Sequence, residues 1–414
     1  MFFRFWFFLI GIFSFLFFPL IAEDLGHDSD EGKQEDSDME ALRRWIRDKR
    51  MVTVKEIGGD LSLSGEVRVE MQAASEKKAG VQQRGWGGAT SVPLTAFDCE
   101  VNVMLDYRSD RTWGSIKLEY DNDMGQVGGT TNKIALEKAY LGGRIVDGDT
   151  FTFDLEMGRR GLNNVFDSKI EFGSLFDGML LKFSKASEAV GNFYWNAGAL
   201  LVNDYFYHFG YVTEMGLLNI RNTGIYTKLS LIDWKKKYSA QRKTDSFKFL
   251  ISQWIVGYQH EVSKYHKLLK VYMAGLWNSL AKRRKLTRHT KANCGCYFGV
   301  SVGEVRKTGD WAIDANYQIV AAQAIPDFDV SGIKRGNAAG IAFNTTGKYG
   351  AGVNTTPETC VGSGNYKGWQ VEALYAVTGN FTILNNFQKS SSLRKKIGPK
   401  MRFFQYEIEF IYAF

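Results

Sequence analysis

Along much of this chain apolar and polar side chains alternate one for one. In the first such run Leu61, Leu63, Val67, Val69 and Met71 share one face, while Ser62, Ser64, Glu66, Arg68, Glu70 and Gln72 share the other. Phe97, Cys99, Val101, Val103, Leu105 and Tyr107 then alternate with Asp98, Glu100, Asn102 and Asp106. Phe151, Phe153, Leu155 and Met157 alternate with Thr152, Asp154 and Glu156. Trp311, Ile313, Ala315, Tyr317 and Ile319 alternate with Asp314, Asn316 and Gln318, and Trp369, Val371, Ala373, Tyr375 and Val377 with Gln370, Glu372 and Leu374. Successive strand side chains point to opposite faces, so each run predicts a strand with one apolar and one polar face.

A soluble antiparallel sandwich would alternate in the same way, its apolar face turned to a core. Two features favour a membrane barrel. The runs extend over about 9 to 13 residues, which suits a tilted membrane strand better than the soluble mode of about 5 to 6. Aromatic residues stand at run ends, as with Tyr107, Trp113, Tyr120 and Trp311, where an interfacial girdle would place them. The C-terminus is the strongest single feature. Phe404, Tyr406, Ile408, Phe410, Tyr412 and Phe414 form one apolar face ending on the last residue, opposite Gln405, Glu407, Glu409 and Ala413. An exposed soluble edge of that character would invite aggregation.

The expected fold is therefore all-β: a transmembrane antiparallel β-barrel over 51–414, following a short helix. At roughly 20 to 25 residues per strand and connection, this length gives about 14 to 18 strands, with 16 the middle even value. Such a barrel leaves a water-filled lumen, whereas eight strands would be filled by side chains. The 5 prolines among 414 residues fit, because Pro is barred from interior ladder positions.

The N-terminus reads differently. Arg4, an apolar run from Phe5 to Ile21 broken by Ser14, and Ala22 before Glu23 make a secretory signal peptide over 1–22. The other reading of that run is an N-terminal membrane anchor. No Cys follows the cut, which argues against a lipoprotein. Segment 23–50 begins with nine acids against one base, Lys33, up to Glu40, too polar to offset its ordering entropy. Ser37 with Glu40 forms a capping box, and Leu42, Trp45 and Ile46 share one face of a helix over about 38–50.

The net charge of +7 suggests nucleic acid on charge alone, but export argues against that partner. By register the pore-lining candidates are Glu66, Arg68, Glu70, Asp98, Glu100, Asp106, Asp154 and Glu156. Gly158-Arg159-Arg160-Gly161, after a strand, adds Arg159 and Arg160 if it folds inward as a constriction loop. Opposed acids and bases across a pore orient polar solutes, and their mixed signs predict weak ion selectivity. The plainer alternative is that these charges only hydrate an inner wall.

Basic segments Lys235–Lys237 with Arg242 and Lys243, Lys282–Lys291, and Arg394–Lys400 read as loop tips that can meet lipid phosphates or acidic glycans. Cys294-Gly-Cys296 is too closely spaced for a usual zinc pair. Cys99 lies on an apolar face, and export permits disulfides among Cys294, Cys296 and Cys360, including links to neighbouring molecules. His27, His208, His260, His266 and His289 make no ligand spacing and no triad with a motif-bearing Ser. Neither a catalytic residue, a metal site nor a cofactor is expected. Asn344-Thr-Thr and Asn354-Thr-Thr match glycosylation sites, which mean nothing if the source is bacterial.

Val52-Thr-Val-Lys-Glu-Ile-Gly-Gly-Asp-Leu-Ser-Leu-Ser-Gly-Glu-Val-Arg68 resembles the start of the chlamydial outer-membrane porin family. Gln83-Arg-Gly-Trp-Gly-Gly, Lys138-Ala-Tyr-Leu-Gly-Gly-Arg144 and the terminal strand are similar too. The resemblance covers most of 41–414, is strongest at both ends, and leaves the basic 235–291 region unmatched. It implies a pore in the bacterial outer membrane, surrounded by membrane lipid, that passes ions and small hydrophilic solutes. A homo-oligomer fits that reading without a face that shows it. The alternatives are an adhesin or structural barrel with basic external loops, and a soluble secreted sandwich.

Overall fold

The computed structural model describes residues 52–56, 59–124, 134–187, 189–203, 208–236, 248–262, 267–284, 287–334, 336 and 363–414. The expected signal peptide, acidic segment and helix lie outside them, as do Arg242, Lys243, Asn344, Asn354, Cys360, His27 and His266.

Eighteen strands form one antiparallel sheet. They begin with β1 (Val52–Glu56), β2 (Gly59–Lys78), β3 (Val81–Gln82), β4 (Thr95–Arg108), β5 (Thr112–Asp123) and β6 (Ile134–Asp147). There follow β7 (Phe151–Gly161), β8 (Leu175–Lys185), β9 (Asn192–Asn203), β10 (His208–Leu218), β11 (Ile225–Lys236) and β12 (Phe249–Val262). The last are β13 (Lys267–Asn278), β14 (Cys294–Gly303), β15 (Trp311–Val320), β16 (Tyr366–Ala376), β17 (Phe381–Ser392) and β18 (Met401–Ala413). From β4 onward each strand pairs with the next, β2 pairs with β4, and β18 pairs with β2 from Met401↔Lys78 to Ala413↔Glu66. Sixteen strands, all but β1 and β3, thus close into a barrel. Closure satisfies each backbone ladder without leaving an edge.

The two short strands sit beside the seam. β1 pairs with the first residues of β2, Val52 opposite Leu63, on the side that β18 leaves at Ala413. The terminal Phe414 exchanges both backbone hydrogen bonds with Gly65 at 2.9 Å. Gly65 is glycine for a local reason: a Cβ there would stand 2.5 Å from the Phe414 ring.

The connections are asymmetric. At the end that carries Phe414 they are tight turns, such as 109–111, 148–150 and 377–380. At the opposite end they are loops, including 79–94, 162–174 and 393–400 and the described stretches 279–284, 287–293, 321–334 and 363–365. Short turns on one side and long loops on the other are what outer-membrane barrels place toward periplasm and exterior respectively. Lys282–Arg284, the 287–291 stretch and Arg394–Lys400 fall in these long loops.

Outward faces are apolar, with Leu63 47%, Leu141 65%, Trp254 62% and Met273 61% exposed. Tyr107 and Trp311 follow the expected outward parity, but Trp113 does not. It lies opposite Gly142, faces inward, and donates its indole N–H to Glu156 Oε1 at 3.1 Å. Its partner is a carboxylate of the lumen and not a lipid headgroup.

Inside, the barrel is divided. Leu162, Val165, Phe166, Ile170 and Phe172 from the 162–174 loop, with Ala321, Ala324, Ile325, Val330 and Ile333 from the 321–334 stretch, form one buried apolar core. It packs on inward residues of the wall, among them Leu180, Leu200, Val212, Ile232, Trp234, Ile251 and Ile255. The water-filled lumen expected for sixteen strands is corrected to this extent, because apolar inward positions of β8–β12 such as Leu180, Leu200, Val212, Ile232 and Ile251 draw the loops down onto them.

Candidate pore lining

The inward loop follows β7. Gly158-Arg159-Arg160-Gly161, expected to be a constriction loop, belongs to the strand. Arg159, opposite Asp177, lies on the outer face, its Nε 2.7 Å from Asp177 Oδ1 and its Nη2 2.8 Å from Oδ2. Arg159 is therefore removed from the pore-lining set: its position has the parity of Leu155 and Met157. Arg160 points inward, donates to Glu156 and stacks on Tyr140 at 4.7 Å.

Segment 162–174 then crosses the interior. The Asp167 amide donates to Glu214 Oε2 of β10 at 3.1 Å, and its carboxylate accepts from Lys228 Nζ of β11 at 2.9 Å. Gln253 Nε2 of β12 donates to the Asp167 carbonyl at 2.7 Å, and Ser168 Oγ to Gln253 Oε1 at 2.8 Å. Lys169 reaches Asp314 of β15 at 3.3 Å, while Gln318 Nε2 donates to the Lys169 carbonyl at 3.2 Å.

A second layer holds the loop from above. Asp329 Oδ1 accepts from Ser174 Oγ at 2.6 Å and from the Ser174 amide at 3.2 Å, and its Oδ2 accepts from the Phe172 amide at 3.3 Å. Ser331 Oγ donates to the Glu171 carbonyl at 2.7 Å. The Glu171 carboxyl is 1% exposed and has no hydrogen-bond partner among the described residues. Burial and then the Asp329 charge hold it well above the usual carboxylate range. Burial likewise pushes Asp329 up to about 7, against the pull of the Ser174 and Phe172 donors. None of these loop residues carried a sequence motif.

The wall formed by β18, β2 and β4 lies half the strand order away from β10–β12 and is acidic. Arg68 Nη2 is 2.5 Å from Glu66 Oε1, and its Nη1 is 3.6 Å from Glu409 and 3.9 Å from Glu100. Asn102 donates to Glu66 at 2.8 Å and also to Glu100. Glu70 stands in register between Asp98 and Glu409. Gln72 Nε2 donates to Glu407 at 3.1 Å and to Glu70 at 3.3 Å, and Gln405 Nε2 to Glu407 at 2.7 Å. One guanidinium thus meets three carboxylates, Glu66, Glu100 and Glu409, and Glu70, Asp98 and Glu407 stand beside them. Glu407 and Glu409 join the predicted residues here, and their parity in the terminal strand was the available signal.

Glu70, Glu407 and Glu409 bring one oxygen each within 4.8 Å of one another, the one such group among the described residues. That geometry attracts a cation, but the Gln donors already occupy part of it.

The adjoining wall is mixed. Glu156 takes Arg160 and, at 2.9 Å, Lys182; Arg144 meets Asp154 at 3.0 Å; Lys117 meets Glu119 at 3.3 Å and also Glu137. Asp106 faces inward between Ser62 and Ser115.

His208 is buried against Trp234 and Phe328, with ring centroids 6.2 and 5.8 Å away. Cys99, Cys294 and Cys296 are free thiols. Cys294 and Cys296 share one outward face two residues apart.

No known family profile matches the chain, and no curated protein sequence does. Among solved structures, the high-pH form of OprB from Pseudomonas putida aligns with 93% of this chain and 100% of its own, at 11% identity and a TM-score of 0.50. Salmonella typhi OmpF in complex with daunomycin aligns with 88% of this chain and 100% of its own, at 12% identity and a TM-score of 0.47. A Rh. blastica porin mutant aligns with 86% of this chain and 100% of its own, at 11% identity and a TM-score of 0.43. At such identities the likeness is one of fold, and OprB alone of these three is near enough to carry it: the chain folds as a bacterial outer-membrane porin barrel does.

Proposed function

We propose that this barrel is an outer-membrane porin through which ions and small hydrophilic solutes diffuse passively, with no catalytic residue and no cofactor. One arrangement supports the reading above all others. In a closed sixteen-strand barrel, the 162–174 loop folds against one wall while the opposite wall keeps a continuous charged face. Glu66, Arg68 and Glu409 are buried around one another, whereas Glu70, Asp98 and Glu100 stand half-buried on the same inner surface, where charge is costly without solvent or full pairing.

The finer placement, in the chlamydial porin family, rests on residues 52–68, 83–88 and 138–144 and on the terminal strand. Homo-oligomers and disulfide links to other envelope proteins belong to the same proposal. Cys294 is exposed near the loop end of β14, where a neighbouring thiol can reach it.

Planar-bilayer conductance of the refolded chain tests the function. The wild type should give stable steps, and changing Glu66, Glu70, Asp98 and Glu100 to Ala should move selectivity toward anions. A folded, heat-modifiable barrel that gives no steps would sink the porin reading. It would leave a structural or adhesive barrel, which the apolar filling along β8–β12 would suit.

A further inference from the structure

Four consecutive strands of the wall, β16, β17, β18 and β2, carry an outward feature that conduction does not use. Near their loop ends the register lines up Lys367 with Ser391, Ser391 with Arg402, and Arg402 with Lys77. One step below, Trp369 stands opposite Lys389, Lys389 opposite Phe404, and Phe404 opposite Ser75. Lys77, Lys367, Lys389 and Arg402 are all exposed. None makes an ion pair with another described residue, and neither row holds an acid. Placing Arg402 directly across from Lys77 costs stability unless an anion lies between them.

Beneath the cations the face turns aromatic. Trp369 is 50% exposed and packs on Tyr317 at 4.6 Å, and Phe404 packs edge-on against Phe387 at 5.3 Å. Above them the 393–400 loop adds exposed Arg394, Lys395, Lys396 and Lys400. A molecule that satisfies this surface is anionic at one level and apolar directly below it. A free phosphate or an acidic glycan would meet the cations and leave the aromatic shelf bare. An acyl lipid with a phosphorylated headgroup meets both.

We propose that Lys77, Lys367, Lys389 and Arg402 form a docking site on the outside of the barrel for the phosphate of an outer-leaflet lipid, whose acyl chains lie over Trp369 and Phe404. The site rests on the outer-membrane placement proposed above and not on conduction. Each cation near an anionic lipid surface contributes enough that losing four should weaken retention by roughly 1000-fold.

The test is native mass spectrometry of the detergent-solubilised full chain, titrated with bis-phosphorylated lipid A and with its dephosphorylated form. The wild type should retain the phosphorylated form preferentially, and added salt should weaken retention. Lys77→Gln, Lys367→Gln, Lys389→Gln and Arg402→Gln combined should lose that preference. A second variant, with the three lysines changed to Arg, should keep it, so a folding defect in the first is told apart from loss of the site. Equal retention of both lipids, or of the phosphorylated lipid by wild type and Gln variant alike, would overturn the proposal. So would displacement of the lipid by inorganic phosphate or by a heparin oligosaccharide through the same four residues. Bilayer conductance is measured on both proteins. Lipid retention without conductance would remove the porin reading and keep this site, and the reverse would do the opposite.

Discussion

At the scale of single residues, the least expected group is Glu171, a carboxyl without a hydrogen-bond donor set beside Asp329 where two loops meet. Its burial favours the protonated form, and so does its neighbour. Asp329, raised to about 7, holds a proton in the folded protein that the unfolded chain, near 3.8, has already released. Between these values the folded state binds more protons, so packing of the loops weakens as pH rises through the window and levels off above it. Amide exchange in 162–174 and 321–334, corrected for intrinsic rates, should show less protection at about pH 8 than at about pH 5. Glu171→Gln should flatten the dependence, since the amide cannot ionise and no longer repels the Asp329 carboxylate. Protection independent of pH in the wild type would refute this account of the pair. Nothing in the sequence around Glu171 announced it, for its environment is made by a segment more than 150 residues away. Arg159, by contrast, was legible. Extending the alternation of Leu155 and Met157 by one step puts it outside, and only an early end assigned to the strand concealed that.

Among elements, legibility followed the environment of the inner face. The strands read directly from alternation, β2, β4, β7, β15, β16 and β18, line the polar part of the interior or its flank. Strands β11 and β12 gave no such signal. Ile232, Trp234, Ile251 and Ile255 face inward under the loops beside the polar Lys228, Ser230 and Gln253, while Leu229, Leu231 and Trp254 face outward, so apolar residues stand on both faces and the period of two is broken along much of both strands. The loop that follows β7 was expected a few residues too early, and its apolar run was indistinguishable from a strand. The terminal strand was the surest element, and its pairing suggests a test. Gly65 lies under the Phe414 ring, with the Asn102 carbonyl 3.0 Å from where a Cβ would stand. Gly65→Val should therefore displace the ring and loosen the β18–β2 seam, costing about 1–3 kcal/mol. The readout is a lower temperature for loss of heat-modifiable mobility. Val67→Ile, on the open outer face of the same strand, should change little. Equal behaviour of the two variants would show that the seam does not depend on this contact.

For the whole molecule the sign of the chain and the sign of its pore part company. The sequence carries a net charge of +7, and mixed charges on the polar faces suggest weak selectivity. Folding sorts them. Exposed cations collect on the long loops and the outer rim, as with Lys395, Lys396 and Lys400. Inward bases are matched to acids: Lys228 to Asp167, Lys182 and Arg160 to Glu156, Arg144 to Asp154. The β18–β2–β4 wall holds more acids than bases, with Glu66, Glu100 and Glu409 about Arg68 and Glu70, Asp98 and Glu407 beside them. A narrowed channel with one sign on a wall concentrates the opposite ion, and salt screens that preference over about 10 Å at 0.1 M. A basic protein should thus conduct as a cation-preferring pore. Its reversal potential in a potassium chloride gradient should favour potassium, and the preference should fade as both concentrations rise. Arg68→Gln should strengthen it, whereas Glu70→Gln with Glu407→Gln should weaken it without closing the channel. Anion preference in the wild type, or a preference indifferent to these three positions, would mean that solutes do not pass along the β18–β2–β4 wall and that the external loops set the selectivity instead.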